Sequence, residues 1–404
     1  MNRSPSRRLP ALLALVAVLP LVACRSSSSS RRDDVVPPFV FKALDLRQQT
    51  PLGQPSWELT SQEARYDLRR RLAQASRPRG VIYKAGKPLY RLQADSGTVL
   101  SDGEAILLEG DLRVQRLGPQ PVLITASRAR WLPRRQLLLI DRKPEAYDRQ
   151  GRLRAERARF LLKDDRLELS GQPRLERWEQ RFDPFATAPR PAAPISIQAV
   201  TVTWKPGSGE LLATGPLQAS RLPQGSGSQA ARQSLTAASL QGNTIAQTYT
   251  LKGPVRFEAS AGGESFSGQD LELRPGASQA STASAFEGSH GALQVSGTGL
   301  RIDGASQWLH IDSGCRIQRP GERLEAQRCG WNWGSGDVEA SGGVMLERGD
   351  HHQVSRGEQL NGRLGENGNV RITAPGGRVV SRFQLPHRPS PAAPPRPAPP
   401  PIVP

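Results

Sequence analysis

The chemistry that this 404-residue chain lacks narrows its possible functions first. It contains no GxxxxGK[S/T] phosphate loop, no HExxH motif, no Cys/His set at metal-ligand spacing and no nucleophile elbow leading into a helix. Its five histidines stand apart from any patterned acid or nucleophile. We therefore expect a non-enzymatic protein that holds neither a metal nor a cofactor.

Long apolar segments are also missing. The run Leu9–Ala23 follows a group of arginines, is interrupted by two prolines and is too short to cross a bilayer comfortably. It ends in Leu-Val-Ala-Cys24, which resembles a bacterial lipobox. The pattern predicts a signal peptide over residues 1–23, a lipid-modified Cys24 and a flexible polar tether over residues 24–37. An uncleaved signal anchor with an incidental cysteine is the alternative.

Cysteine is scarce, and only Cys315 and Cys329 remain beyond the lipobox. In an exported chain, two cysteines fourteen residues apart favour a disulfide bond. They flank a turn signal at residues 319–322, but they are not directly opposed about its centre, so a bulge or a longer loop would be needed. The alternative is that each is a small apolar core residue.

Acidic residues are outnumbered, with 37 Asp and Glu against 55 Lys and Arg and a net charge of +18. Most of the excess precedes residue 190, and such a field favours anionic partners. An exported protein rarely meets nucleic acid, and the arginines are not clustered with stacking aromatics. Anionic lipid head groups or acidic glycans are better candidates, and a merely solvated basic surface is the alternative.

Long stretches of helical periodicity are absent from the region after the tether, and a short phrase recurs instead about every thirty residues. Residues 61–73 have a composition compatible with a helix, but they follow the register of this repeat. Its copies include Leu59-x-Ser61-x-x-Ala64-x-Tyr66 and Ile124-x-Ala126-x-x-Ala129-x-Trp131. A period of this length indicates stacked repeats that share one core.

A second phrase lies between most copies and alternates with a period of two, typical of a half-buried strand. Around Gly110, the apolar residues Ile106, Leu108, Leu112 and Val114 point one way, while Glu109, Asp111 and Arg113 point the other way. Two strands in each repeat are too few for a propeller blade, so we expect an all-β elongated roll. An ordinary β-sandwich with chance self-similarity is the alternative.

Proline-rich segments suggest the domain organisation. We expect a linker or long loop at residues 184–194, between a first β half over residues 38–183 and a second over residues 195–385. Residues 386–404 should form a disordered proline-rich tail.

Several of these motifs resemble a known family. The opening Phe39-x-Phe41, followed by Trp57-Glu58-Leu59-Thr60, is similar to the start of the lipopolysaccharide-transport family LptC. Leu-x-Ala-Asp95 and the later Leu-x-x-Gly-Asp-Leu-x-Val resemble OstA-like units shared with LptA. The resemblance covers residues 38–180, and it extends over residues 195–380 only through the repeat.

The resemblance implies an OstA-like repeat β-jellyroll of V-shaped, stacked antiparallel strands with a hydrophobic groove for acyl chains. It also implies the periplasm as location and three partners: lipopolysaccharide, the inner-membrane ABC transporter and an LptA-like bridge or outer-membrane component. The chain departs from the family in its lipobox and in having about twice the usual repeats, a length similar to that of cyanobacterial versions. One chain could then cover part of the bridge that other bacteria build from LptA.

We therefore expect a lipid-anchored transport component, with the inner membrane as the favoured site of the anchor. The alternative is a structural lipoprotein with a closed β-repeat core that binds envelope polymers. The side chains expected to line the groove are Leu59, Leu92, Ile106, Leu108, Leu112, Val114, Ile124, Leu153, Ile197, Leu235, Phe266, Val295 and Leu324.

Overall fold

The computed structural model describes residues 39–186, 195–221, 232–260, 262–349, 353–365 and 368–383. The described residues form one compact unit. The expected signal peptide, the lipid site at Cys24, the tether, the tail from residue 386 and residues 187–194 of the expected linker lie outside the described residues.

The described part of the chain consists of strands, turns and three short 3-10 segments at Ser101–Gly103, Pro133–Arg135 and Pro275–Ala277. The strands are β1 Phe39–Phe41, β2 Leu44–Gln49, β3 Pro55–Ser61, β4 Glu63–Asp67, β5 Leu72–Ser76, β6 Arg79–Lys84, β7 Lys87–Gln93, β8 Ser96–Leu100, β9 Ala105–Arg116, β10 Val122–Leu132, β11 Leu137–Arg142, β12 Glu145–Tyr147, β13 Gly151–Arg154, β14 Arg157–Leu161, β15 Arg166–Ser170, β16 Arg174–Arg177, β17 Ile195–Gln198, β18 Thr201–Trp204, β19 Glu210–Arg221, β20 Gln233–Asn243, β21 Thr248–Ala259, β22 Glu264–Arg274, β23 Gln279–His290, β24 Leu293–Asp303, β25 Trp308–Arg319, β26 Glu322–Ala326, β27 Arg328–Asn332, β28 Asp337–Arg348, β29 Gln353–Arg363, β30 Val370–Thr373 and β31 Val380–Arg382.

Antiparallel pairing arranges these strands in two ladders, which we call strip A and strip B. Long strands such as β9 and β10 contribute one half to each strip. Strip A also contains β1, β4, β5, β8, β11, β14, β15, β18, β27 and β30. Strip B contains β2, β3, β6, β7, β12, β13, β16, β17, β26 and β31.

The recurring phrase corresponds to one layer of the stack, which consists of one strand segment in each strip joined at a bend. Leu59 and Ser61 lie in β3 of strip B, and Ala64 and Tyr66 lie in β4 of strip A. If the alternation continued unbroken from β3 into β4, the apolar side chains of β4 would point to solvent. One extra residue between the small positions shifts the alternation by one, so the apolar side chains of both strands point into the interior. The all-β, stacked-layer fold expected from the sequence is confirmed.

The second phrase explains the bend between the strips. Gly110 has a φ of +98°, and a Cβ at this position would lie 2.4 Å from the Cβ of Asp95 in the previous layer. Only glycine adopts this backbone so close to a neighbour. The Asp95 carboxylate in turn accepts the Asp111 N–H at 2.9 Å, so the two motifs that suggested OstA-like units contact each other at the bend.

The ladders are continuous across the expected linker. On its two sides, β15 pairs with β18 and β16 pairs with β17. Pro184, at the start of the linker, is buried. The division into two halves stays a prediction, but the strand pairing crosses it in both strips.

The two strips face each other across an apolar interior. The Trp57 ring of strip B packs edge-on against the Trp131 ring of strip A, with centroids 5.1 Å apart, and Tyr90 packs in the same way against Phe160. The interior comprises two clusters of buried side chains, one from Trp57 to Leu271 and one from Phe286 to Leu360. Partly buried Phe266 contacts both.

Candidate functional site

The first half of the interior is a filled core. Nine of the side chains expected to line a groove are at most 4% exposed and pack against each other and against neighbouring aromatics. They point inward as their alternation predicts, but they leave almost no surface to solvent in this structure. Eight of them lie in the first half: Leu59, Leu92, Ile106, Leu108, Leu112, Val114, Ile124 and Leu153. The ninth, Leu324, lies in the second buried cluster.

The two strips meet at the bend, and we call the opposite side of the interior, where they are not joined, the mouth. A polar cluster closes the mouth over this half. The Tyr90 hydroxyl of strip B donates to the carboxylate of Asp165, which lies in a strip A turn. Arg116 of strip B contacts the same carboxylate at 3.3 Å, and both side chains of this pair are 14% exposed. Burial, followed by the adjacent Asp165 carboxylate, raises the pKa of Tyr90 well above its usual value, so the phenol stays protonated.

The interior is less covered further along the stack. The inward residues nearest the mouth of strip B are only half-buried from β16 through β24, and so are those of strip A from β22 through β24. Because they are paired across neighbouring strands, these residues form two columns along the stack, one on each strip, next to each other. We call this surface the apolar window; it comprises Leu175, Ile197, Ala219, Leu235, Phe257, Phe266, Gly288 and Val295 on strip B and Leu273, Ala280 and Ile302 on strip A.

Contacts between the strips flank the window on both sides. Towards the filled half, the Gln247 amide of strip A donates to Gln150 of strip B at 2.5 Å, and the Arg177 guanidinium lies 5.6 Å from the centroid of the Tyr249 ring. Towards the C-terminal end, the His290 ring lies 5.7 Å from Trp331. The window is therefore a bounded stretch of the stack.

The floor of the window is apolar and buried. Leu217, Ala237 and Val255 of strip B and Leu251 and Leu271 of strip A lie nearer the bend and are at most 6% exposed. A hydrocarbon chain in the window would thus contact half-buried side chains at the mouth and a continuous apolar surface beneath. Such a surface can shield hydrocarbon from water without presenting a polar group to it.

Four of the residues expected to line a groove lie in the window: Ile197, Leu235, Phe266 and Val295. Four further window residues were not among those expected at the site, although each follows the same alternation: Phe257, Leu273, Ala280 and Ile302. The alternation identifies the inward face but not the degree of coverage, which depends on packing from the opposite strip.

Cys315 and Cys329 are joined by a disulfide bond with Cα atoms 6.0 Å apart. Cys315 pairs with Ala326 in strip B, whereas Cys329 lies beyond the bend, in β27 of strip A. The bond therefore connects the two strips, which explains why these cysteines are not opposed about their turn. Both are buried in the second apolar cluster, so they also have the core position considered from the sequence.

The first and last layers end the ladders within the described residues. β1 pairs with β4 and β2 with β3, while β30 and β31 both pair with β29. Phe39 and Phe41 are about half exposed, and Val380 and Phe383 are similarly exposed at the other end. Each end thus presents strand edges bordered by apolar side chains.

No group of three or more acidic, histidine or cysteine residues in the described ranges could hold a metal ion. The same residues include no helix with the length and apolarity needed to span a bilayer. The features of the described surface that favour binding are the apolar window and the two terminal edges.

Two-legged antiparallel layers around a shared apolar interior define this protein as a repeat β-jellyroll. Residues 10–175 match the family described as "Lipopolysaccharide-assembly, LptC-related". Over that region the chain is similar to LptC-related proteins, in agreement with the resemblance of its sequence motifs.

A crystal structure of LptH from Pseudomonas aeruginosa, described as "the LptA homologous periplasmic component of the conserved lipopolysaccharide transport device", is 10% identical. The match covers 34% of this chain and 91% of that chain, with a TM-score of 0.25. No curated protein matches the chain.

Proposed function

We propose that this protein is a non-enzymatic carrier of lipopolysaccharide in the periplasm, and that the acyl chains bind at the apolar window. The observation that carries the proposal is the contiguous half-buried apolar surface above a buried apolar floor, within a chain whose N-terminal part is LptC-like. Acyl chains need such cover, because each methylene exposed to water costs about 0.8 kcal/mol.

The chain would receive the lipid from an inner-membrane ABC transporter and pass it towards the outer membrane, held near the inner membrane by a lipid on Cys24. Within the described residues the end strands have free edges, which support docking to a transporter subunit or to another roll, because unpaired backbone groups favour addition of a partner strand. The basic surface suits partners that carry phosphate or carboxylate.

A second candidate is a structural lipoprotein that binds envelope polymers on its outer surface. The filled core of the first half favours this function, since a roll that packs its own side chains needs no lipid to cover them. The two candidates differ in whether hydrocarbon contacts the inward face at all.

Photo-crosslinking in living cells separates them. Benzoylphenylalanine at Phe266 or Phe257 should crosslink to lipopolysaccharide, because both ring positions lie in the window. The same probe at Ser267, exposed on the opposite face of the strand, is the matched control and should give no adduct.

A probe at Phe160, which is fully buried, tests the filled half. An adduct there would show that lipid also reaches that part of the interior. Equal crosslinking at Ser267 and Phe266, or none at any inward position, would contradict the carrier function and favour the structural one.

A further inference from the structure

A polar cavity lies at the end of the window nearest the filled half. It has a volume of about 120 Å³ and is lined by turns of both strips, around residues 120–122, 148–150 and 181 on one side and 204–206 and 244–247 on the other. Gln247 is two residues from Tyr249, whose cross-strand partner Leu273 belongs to the window. The cavity therefore lies at the lip, where a head group would emerge from the interior.

Two arginines give this cavity its charge. Arg149 and Arg181 both line it, and within the described residues neither guanidinium has an acidic partner at ion-pair distance. About half of the other arginines of the first half do have such partners, including Arg116, Arg152 and Arg154. A guanidinium without a carboxylate at a cavity wall is available to bind a phosphate oxygen.

Backbone hydrogen bonds fix the two arginines beside each other. The Phe182 N–H donates to the Arg149 carbonyl at 2.7 Å, and the Trp178 N–H donates to the Gln150 carbonyl at 2.9 Å. The Gln150 amide also donates to the Glu179 carbonyl at 2.9 Å. The segment that carries Arg181 is thus held against the turn that carries Arg149.

The remaining polar lining suits sugar hydroxyls. Three amide side chains, Gln120, Gln150 and Gln247, and the Thr244 hydroxyl reach the cavity, and the one carboxylate, Asp148, accepts the backbone N–H groups of its own turn. Trp204 and Val122 form an apolar part of the wall. Amides and hydroxyls that both donate and accept can recognise a saccharide, while the arginines supply the charge.

We infer that this cavity binds the phosphorylated sugar head group of a glycolipid whose acyl chains lie in the window. The inference rests on the proposed carrier function and adds to it a site for recognition of the phosphate. The window alone would accept any lipid with acyl chains, since an apolar surface does not distinguish head groups. The cavity would make the protein select phosphorylated glycolipids.

The test compares lipid A that carries its phosphates with the same lipid A after phosphatase treatment, each displacing a fluorescent acyl probe from the purified protein. The wild-type protein should bind the phosphorylated form about tenfold more tightly, the size of one or two charge-assisted hydrogen bonds. The double variant R149Q/R181Q should lose that preference and keep its affinity for the dephosphorylated form.

The control R256Q/R371Q removes the same charge from exposed outer positions and should keep the preference. If R149Q/R181Q still prefers the phosphorylated form, or if the control loses the preference equally, the head-group site is wrong. If phosphatidylglycerol binds as tightly as phosphorylated lipid A, recognition of the sugar is wrong. If neither form of lipid A displaces the probe, the carrier function itself fails, which is a different outcome.

Discussion

The bend at Gly110 provides a sharp test of how the layers are built. Gly110→Ala places a methyl group at a φ of +98° and 2.2–2.6 Å from the Asp95 side chain. Gly103→Ala is the matched control, because Gly103 has a φ of +95° in the same half and a Cβ there would meet only Trp57, at 3.9 Å. The two variants share the backbone strain and differ in the clash.

Backbone strain of this kind costs about 1–3 kcal/mol in either variant. In Gly110→Ala the Asp95 side chain must also move and release the Asp111 N–H, which adds about 1–3 kcal/mol. Urea denaturation followed by tryptophan fluorescence would measure both losses, since Trp57 and Trp131 lie in the same half. Asp95→Gly should cost little further in the Gly110→Ala background, because the contact is already lost. Equal losses in the two single variants would refute the bend contact.

Four further outcomes follow from the structure and the sequence. Mass spectrometry of the mature N-terminus should show an acylated Cys24, and a mature chain that retains residues 1–23 would contradict it. Non-reduced, denatured protein from the periplasm should contain no alkylatable thiol at Cys315 or Cys329, and loss of their bond should reduce the free energy of unfolding by about 2–4 kcal/mol. Above pH 10 folded Tyr90 keeps its proton whereas the unfolded chain releases it, so the free energy of unfolding should fall by up to about 1.4 kcal/mol per pH unit in that range. If Tyr90→Phe shows the same dependence of the free energy of unfolding on pH, this explanation is wrong. If another roll docks at the free edge of β31, Val380→Pro should abolish that complex without unfolding the protein, whereas Val380→Thr, which keeps the backbone N–H, should preserve it. A complex that survives the proline would exclude β31 as the docking edge.

The layers are predictable from the sequence because the repeat is local. The inward positions Leu112 and Val114 and the outward Asp111 can be assigned from alternation alone, and they lie as predicted. The bend could also be located, since the glycine recurs where the chain passes from one strip to the other. These features depend on residues that are near each other in the chain.

How far the opposite strip buries each inward side chain could not be predicted in this way. Trp131 lies opposite Trp57 and Phe160 opposite Tyr90, so each closing contact joins residues about seventy positions apart. Leu153 and Ile197 therefore look equivalent in the sequence, although one is buried core and the other half-buried. The polar cavity was missed for the same reason, because Arg149 and Thr244 meet only after the strips have folded together.

The contrast between the two parts of the interior has an energetic consequence for transport. A lipid chain could enter the filled half only by displacing side chains such as Leu92 and Ile106, and a cavity made by removing one leucine costs about 2–5 kcal/mol. Several such displacements would consume the roughly 10 kcal/mol gained by covering a dozen methylenes. At the window no core side chain has to leave, so the gain is retained. If the protein carries lipid as proposed, loading should therefore begin at the window, and any passage through the filled half would need a partner that opens the mouth at Tyr90 and Asp165.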